Sequence, residues 1–102
     1  MRRIYISGGI SNAKDYRNEF FMAEEFLSIG FDNIVNPVTI ADNLKFPGAY
    51  TEKDKYKEYM RADLKALLEC THIFMLKNWK TSKGACFELK TAKICGLEII
   101  YA

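Results

Sequence analysis

Short β-branched and aromatic segments recur along this chain, and the stretches between them carry helical spacing. Arg3 to Ser7, Phe31 to Val35, His72 to Leu76 and Leu97 to Tyr101 have the length and residue types of strands. Between them, residues 14 to 29, 51 to 70 and 82 to 96 place apolar side chains at helical intervals. The first helix aligns Tyr16, Phe20, Ala23, Phe26 and Leu27 and stops at Gly30. The second opens on a Thr51-Glu52-Lys53-Asp54 cap and aligns Tyr56, Met60, Leu64 and Leu67. The third aligns Ala85, Leu89, Ala92 and Cys95 and stops at Gly96. Asn36-Pro37 halts the second strand, and residues 38 to 50 are expected as an irregular loop. A βαβαβαβ order demands a parallel sheet, because each return to the same sheet edge needs a helical crossover. Right-handed crossovers and a strand order 2-1-3-4 put the first helix on one face and the other two on the opposite face. The fold class is thus α/β, with a four-stranded parallel sheet and crossover helices in three layers. The face of the third and fourth strands on the first helix's side is left without cover.

Composition narrows the function. The chain has 102 residues, of which 49% are apolar and 27% charged, so one globular domain over 1 to 102 is expected. Net charge is +2 with no basic block, which gives neither nucleic acid nor a membrane surface electrostatic support. The longest apolar runs fall short of a bilayer span. Charges and glycines follow Met1 directly, unlike a secretory leader, so a cytoplasmic location is expected. The three cysteines, Cys70, Cys86 and Cys95, show neither zinc-site nor disulfide-framework spacing and are expected as small buried thiols. Phe87 and Ile94 form an apolar patch on the far side of the third helix. That patch and the uncovered sheet face are candidate subunit interfaces, so a homodimer or higher homo-oligomer is expected.

The oddity lies on the helices that share a face. Glu88 falls inside the apolar arc of the third helix, between Ala92 and Cys95. Asp63 falls inside the arc of the second, among Tyr56, Leu67 and Cys70. A carboxylate turned into a core is costly unless it is paired or used. Two such acids in one cleft can divide roles, one ionised and one carrying a proton. Local pairing with Arg61, a lysine or backbone amides is the alternative. Glu19 also lies in an apolar arc, but in a first helical turn that suits its charge.

In open parallel sheets ligands sit beyond the carboxyl ends of the strands, where strand order reverses. That places Ser7-Gly8-Gly9-Ile10-Ser11 opposite residues 77 to 82. The glycines suit close backbone approach to a phosphate or sugar, or simply make a tight turn. Neither a P-loop nor a dinucleotide fingerprint is present. Lys77-Asn78-Trp79 after the third strand lacks the aspartate a phospho-accepting regulator would need. Ser82 and Gly84 begin the third helix, where hydroxyl and amides cap the helix or bind an anion. Tyr5 either orients a carboxylate or fills the core. Trp79 either stacks on a base or covers a core edge. His72, at the start of a buried strand, is expected to be structural.

"RIYISGGIS", "YMRADLKALLEC" and "NWKTSKGACFELKTAKICGLEII" together resemble the domain-of-unknown-function family 4406. That family looks like a compact branch of the nucleoside 2-deoxyribosyltransferase-like superfamily, which includes deoxynucleoside monophosphate N-glycosidases. The resemblance spans nearly the whole chain except about 38 to 52. It implies a flavodoxin-like fold and a small-molecule nucleoside or nucleotide substrate. It also implies Glu88 as nucleophile at the anomeric carbon and Asp63 assisting the departing base or binding sugar hydroxyls. Tyr5 would orient Glu88, while Gly8, Gly9, Ser11 and Ser82 would hold a 5′ hydroxyl or phosphate. No metal or organic cofactor is implied. Ser11 stands where the glycosidases carry a basic residue, and Cys86 stands where they carry glycine or threonine. The chain given stops after its fourth strand, so closure of the cleft is expected from residues 38 to 50 or from a partner's surface. An N-glycosidase or deoxyribosyltransferase is therefore one expectation. A non-catalytic binder of a nucleotide or nucleotide-derived signal is the other.

Overall fold

The sheet is built around β1 (Arg3–Ser7). Successive side chains on a strand point to opposite faces. Ile4 and Ile6 therefore face one way and Tyr5 and Ser7 the other, and all four are fully buried. Only an inner strand covered on both faces gives that pattern. In the computed structural model, which describes residues 2–10 and 15–102, β1 is flanked by β2 (Asn33–Val35) and β3 (His72–Met75). The last strand, β4 (Glu98–Tyr101), lies outside β3, giving the parallel order β2-β1-β3-β4. Tyr5 pairs in register with Val35 on one side and with Ile73 on the other. The fold class expected from the sequence is the one observed, a flavodoxin-like α/β sandwich.

Helix α1 (Tyr16–Leu27) packs Phe20, Ala23 and Leu27 against Ile4, Ile6, Phe74 and Leu76. On the other face, α3 (Glu52–Leu68) and α4 (Lys83–Ile94) bury Leu67, Ala85, Leu89 and Ala92 against Tyr5, Ile73 and Met75. Thr51 caps α3 by accepting from the Asp54 amide at 3.1 Å, and Ser82 caps α4 by accepting from Ala85 at 3.1 Å. Gly96 ends α4 with φ of +79°, a conformation other residues adopt only under strain.

Four expectations need correction. Residues 38 to 50 are not all irregular, since α2 (Pro37–Asn43) lies there. Asn36 accepts from the Val38 amide at 2.9 Å and Pro37 fills the first helical position, so the Asn-Pro pair that ends β2 also starts a helix. Phe26 does not join the α1 core. It sits at the rim of the arc, 64% exposed, with its ring 6.3 Å from that of Phe74. Cys86 and Cys95 are exposed, because Cys86 lies off the buried arc and α4 ends before Cys95; Cys70 alone of the three is buried. The α1 side of β3 is also better covered than expected, since Phe74 and Leu76 are buried, whereas on β4 the same face leaves Ile100 partly exposed and Glu98 exposed. No helix among the described residues is long and apolar enough to cross a membrane.

Candidate functional site

The sheet order reverses between β1 and β3, so the chains leaving these strands diverge and open a crevice at their carboxyl ends. Gly8 leaves β1 hard against β3. A Cβ there would stand 2.8 Å from both Cβ and Cδ1 of Leu76, so no other residue fits without movement. Asn78 then clamps the turn. Its Oδ1 accepts from the Gly9 amide at 2.9 Å, and its Nδ2 donates to the Gly9 carbonyl at 3.4 Å.

Glu88 comes to this point from the buried face of α4 and is 5% exposed. Tyr5 donates its hydroxyl to Glu88 Oε2 at 2.7 Å, and Ser7 donates its hydroxyl to Glu88 Oε1 at 2.7 Å. Tyr5 and Ser7 lie two apart on β1, so the pleat aims both hydroxyls at the same helix. Each carboxylate oxygen is thus satisfied by a donor, as a buried acid requires. Burial pushes the Glu88 carboxyl above its ordinary range, while the Ser7 and Tyr5 hydrogen bonds pull it back. The Tyr5 phenol is held well above its ordinary value, first by burial and then by the negative charges of Glu88 and Asp63. Tyr5 therefore remains a donor.

Asp63 comes from α3, and its carboxyl is pushed up to about 7, first by burial and then by the charge on Glu88. Two hydroxyl donors favour the ionised form of Glu88, so the pair divides one way. Of the two, Glu88 ionises first, since its charge helps raise the Asp63 carboxyl to about 7. Arg61, one of the alternative local partners for these acids, pairs with Glu58 at 3.3 Å.

Both acids open into a cleft of about 910 Å³, the size of a small-molecule site. Tyr5, Gly8 and Ile10 line it from the β1 side, and Ser82, Gly84 and Glu88 from α4. Gly84 is not forced by packing, since a Cβ there would make only ordinary contacts with Met60, Ser82 and Tyr56. Ser7 and Gly9 stand behind the lining: Ser7 is fully buried on Glu88, and Gly9 is held by Asn78. Trp79 lies elsewhere. It starts a 3-10 turn, packs on the core beneath α3 and α4, and has its ring 6.0 Å from that of Tyr101. Of its two expected roles it takes the cover of a core edge. Ser11 lies outside the described residues. His72 is tied to Thr71 and Glu98 at the opposite end of β3, consistent with a structural part.

Residues 38 to 50 are expected at the cleft, and part of them lines it as a helix, beside residues not singled out for the site. Pro37, Val38, Ala41 and Asp42 of α2 form one wall, with Tyr56, Tyr59 and Met60 of α3 beside them. Arg17 of α1 joins Asp42 in an ion pair at 2.7 Å across the cleft's edge. The Asn36-Pro37 helix start was the one available signal for that wall. Among the described residues no cluster of three or more His, Cys, Asp or Glu side chains could hold a metal ion.

With this geometry in place, comparison with known proteins is informative about family and fold. No curated protein matches the chain. A solved structure described as a conserved protein from Enterococcus faecalis V583 superposes with a TM-score of 0.70 at 19% identity. The superposition covers 99% of this chain and 62% of that one, so this chain spans under two thirds of its neighbour's length. At that identity the likeness is one of fold. The family model "Domain of unknown function (DUF4406)" matches residues 2–101, and the chain belongs to that family.

Proposed function

We propose that the cleft cleaves the N-glycosidic bond of a small nucleoside or nucleotide, with Glu88 as nucleophile. One observation carries this: a buried carboxylate gripped on both oxygens by Tyr5 and Ser7, with a second acid in the same cleft whose carboxyl is pushed up to about 7. Such a pair is what displacement at an anomeric carbon needs. A Glu88 oxygen bonds to the anomeric carbon as the carbon–nitrogen bond breaks. The bonding pair leaves with the base, which takes the proton of Asp63. Water, or a second base, then attacks the same carbon. Asp63 accepts the proton released, the ester to Glu88 breaks, and both acids return to their starting states. Ser82 and Gly84 line the cleft at the positive end of α4, and in this reading they hold a 5′ hydroxyl or phosphate. The likeness to the nucleoside 2-deoxyribosyltransferase-like superfamily supports the same chemistry.

The test is incubation of the folded protein with deoxynucleosides and their monophosphates, with and without acceptor bases, followed by chromatography of the bases. Released or exchanged base supports the proposal. Thermal stabilisation by these compounds without any product identifies a binding protein instead.

A further inference from the structure

We propose that Ser7 is a positioning residue for Glu88: its hydroxyl fixes the carboxylate's orientation, and it does not bind substrate. The inference deepens the proposed function and shares its site.

Three observations carry it. Ser7 is fully buried at the end of the central strand, on the face that otherwise buries Tyr5, Ile73 and Met75. A hydroxyl there must find an acceptor or weaken the core. Its acceptor is Glu88 Oε1 at 2.7 Å, the oxygen that Tyr5 does not hold. Finally, its backbone cannot drift, since the Ser7 carbonyl accepts from the Leu76 amide at 2.8 Å and Ser7 pairs in register with Met75. The hydroxyl thus sits on a fixed point of the sheet. With Tyr5 alone, Glu88 could pivot about one hydrogen bond. With both, the carboxylate plane is set, and burial is opposed by a second donor that favours the charged form. A serine that bound substrate would line the cleft, whereas Ser7 stands behind Glu88.

The groups that face Glu88 are known. From β1 it meets the hydroxyls of Tyr5 and Ser7; from α3 it meets Asp63. From β3, Met75 in the same core brings no charge. Arg17, Asp42, Glu52, Lys83 and the phenols of Tyr16, Tyr56 and Tyr59 are the other titratable groups that line the cleft.

The experiment follows the Glu88 carboxyl carbon by NMR in protein labelled at glutamate, its signal assigned by loss in Glu88→Gln. The titration is run with Asp63→Asn, so that Glu88 is not coupled to a second acid. Ser7→Ala should move the Glu88 midpoint upward by about one pH unit, the effect of one hydrogen bond to a charged group. Ser7→Cys, nearly isosteric with a weaker donor, should fall between. In the otherwise unmodified chain, Ser7→Ala should lower kcat roughly tenfold with KM unchanged, and move the acid limb of the pH profile as the NMR midpoint moves. An unchanged midpoint in folded Ser7→Ala overturns the proposal. So does a shift accompanied by loss of binding with kcat intact, which would make Ser7 a substrate contact. The titration needs no turnover. A shifted midpoint in a protein that releases no base would retain the clamp and reject the glycosidase.

Discussion

At Glu88 and Asp63 the energetics of burial and the chemistry of the site meet. A lone buried carboxylate would take up a proton and cease to be a nucleophile. The Tyr5 and Ser7 hydroxyls oppose that at Glu88, while burial and then the charge on Glu88 raise the Asp63 carboxyl to about 7. The sign of the pH dependence follows. Between the ordinary aspartate value and about 7, folded Asp63 holds a proton that the unfolded chain has released. Its contribution to stability is complete below the unfolded value and is lost as pH rises through about 7. We predict that Asp63→Asn flattens this loss and raises stability at pH 8 by roughly 1–3 kcal/mol, read by urea melts across pH. The same variant should lower kcat by about 10²–10⁴-fold and remove the alkaline limb of the pH profile, because asparagine has no proton to give the base.

The elements place those residues with little slack. Gly8 lets β1 turn beside Leu76 where a methyl would stand 2.8 Å from its Cβ. Gly8→Ala should therefore cost about 1–3 kcal/mol, measured by denaturant unfolding, through overpacking of a junction that cannot give. Helix α2 forms one cleft wall, held by the Asn36 cap, by buried Val38 and by the Arg17–Asp42 pair. Asn36→Ala should cost about 1 kcal/mol and raise KM more than it lowers kcat, since it loosens a wall and not the acids. The long elements were legible in the sequence because their periodicity is strong. Glu88 and Asp63 stood out because each broke an apolar arc. Helix α2 was missed because it is short and carries no such pattern, and Asn36-Pro37 serves as both strand stop and helix start. Trp79 was ambiguous for another reason: an aromatic after a strand fits a ligand wall or a core edge equally, and only the packing of Tyr101 against it decides. The Arg17–Asp42 pair joins residues 25 apart in the chain, a proximity no local spacing encodes.

For the whole molecule, strand order and crossover handedness fix where the cleft lies, and α2 lines one side of it. Away from that cleft, large apolar side chains reach the surface. Phe26 and Ile29 at the end of α1 are 64% and 87% exposed, an apolar area that water does not favour. We predict self-association through this end of α1, seen as a dimer or larger species by sedimentation, with Phe26→Asp returning the monomer and leaving the cleft chemistry intact. A monomer at high concentration would reject it. The nucleophilic role of Glu88 is tested most directly by intact-protein mass spectrometry after rapid acid quench of the protein with a deoxynucleoside or its monophosphate. We predict a mass increase of one deoxyribosyl unit, or its phosphate, mapped by peptide digestion to Glu88 and absent from Glu88→Gln. Base release without that adduct, at a rate Glu88→Gln does not lower, would contradict it.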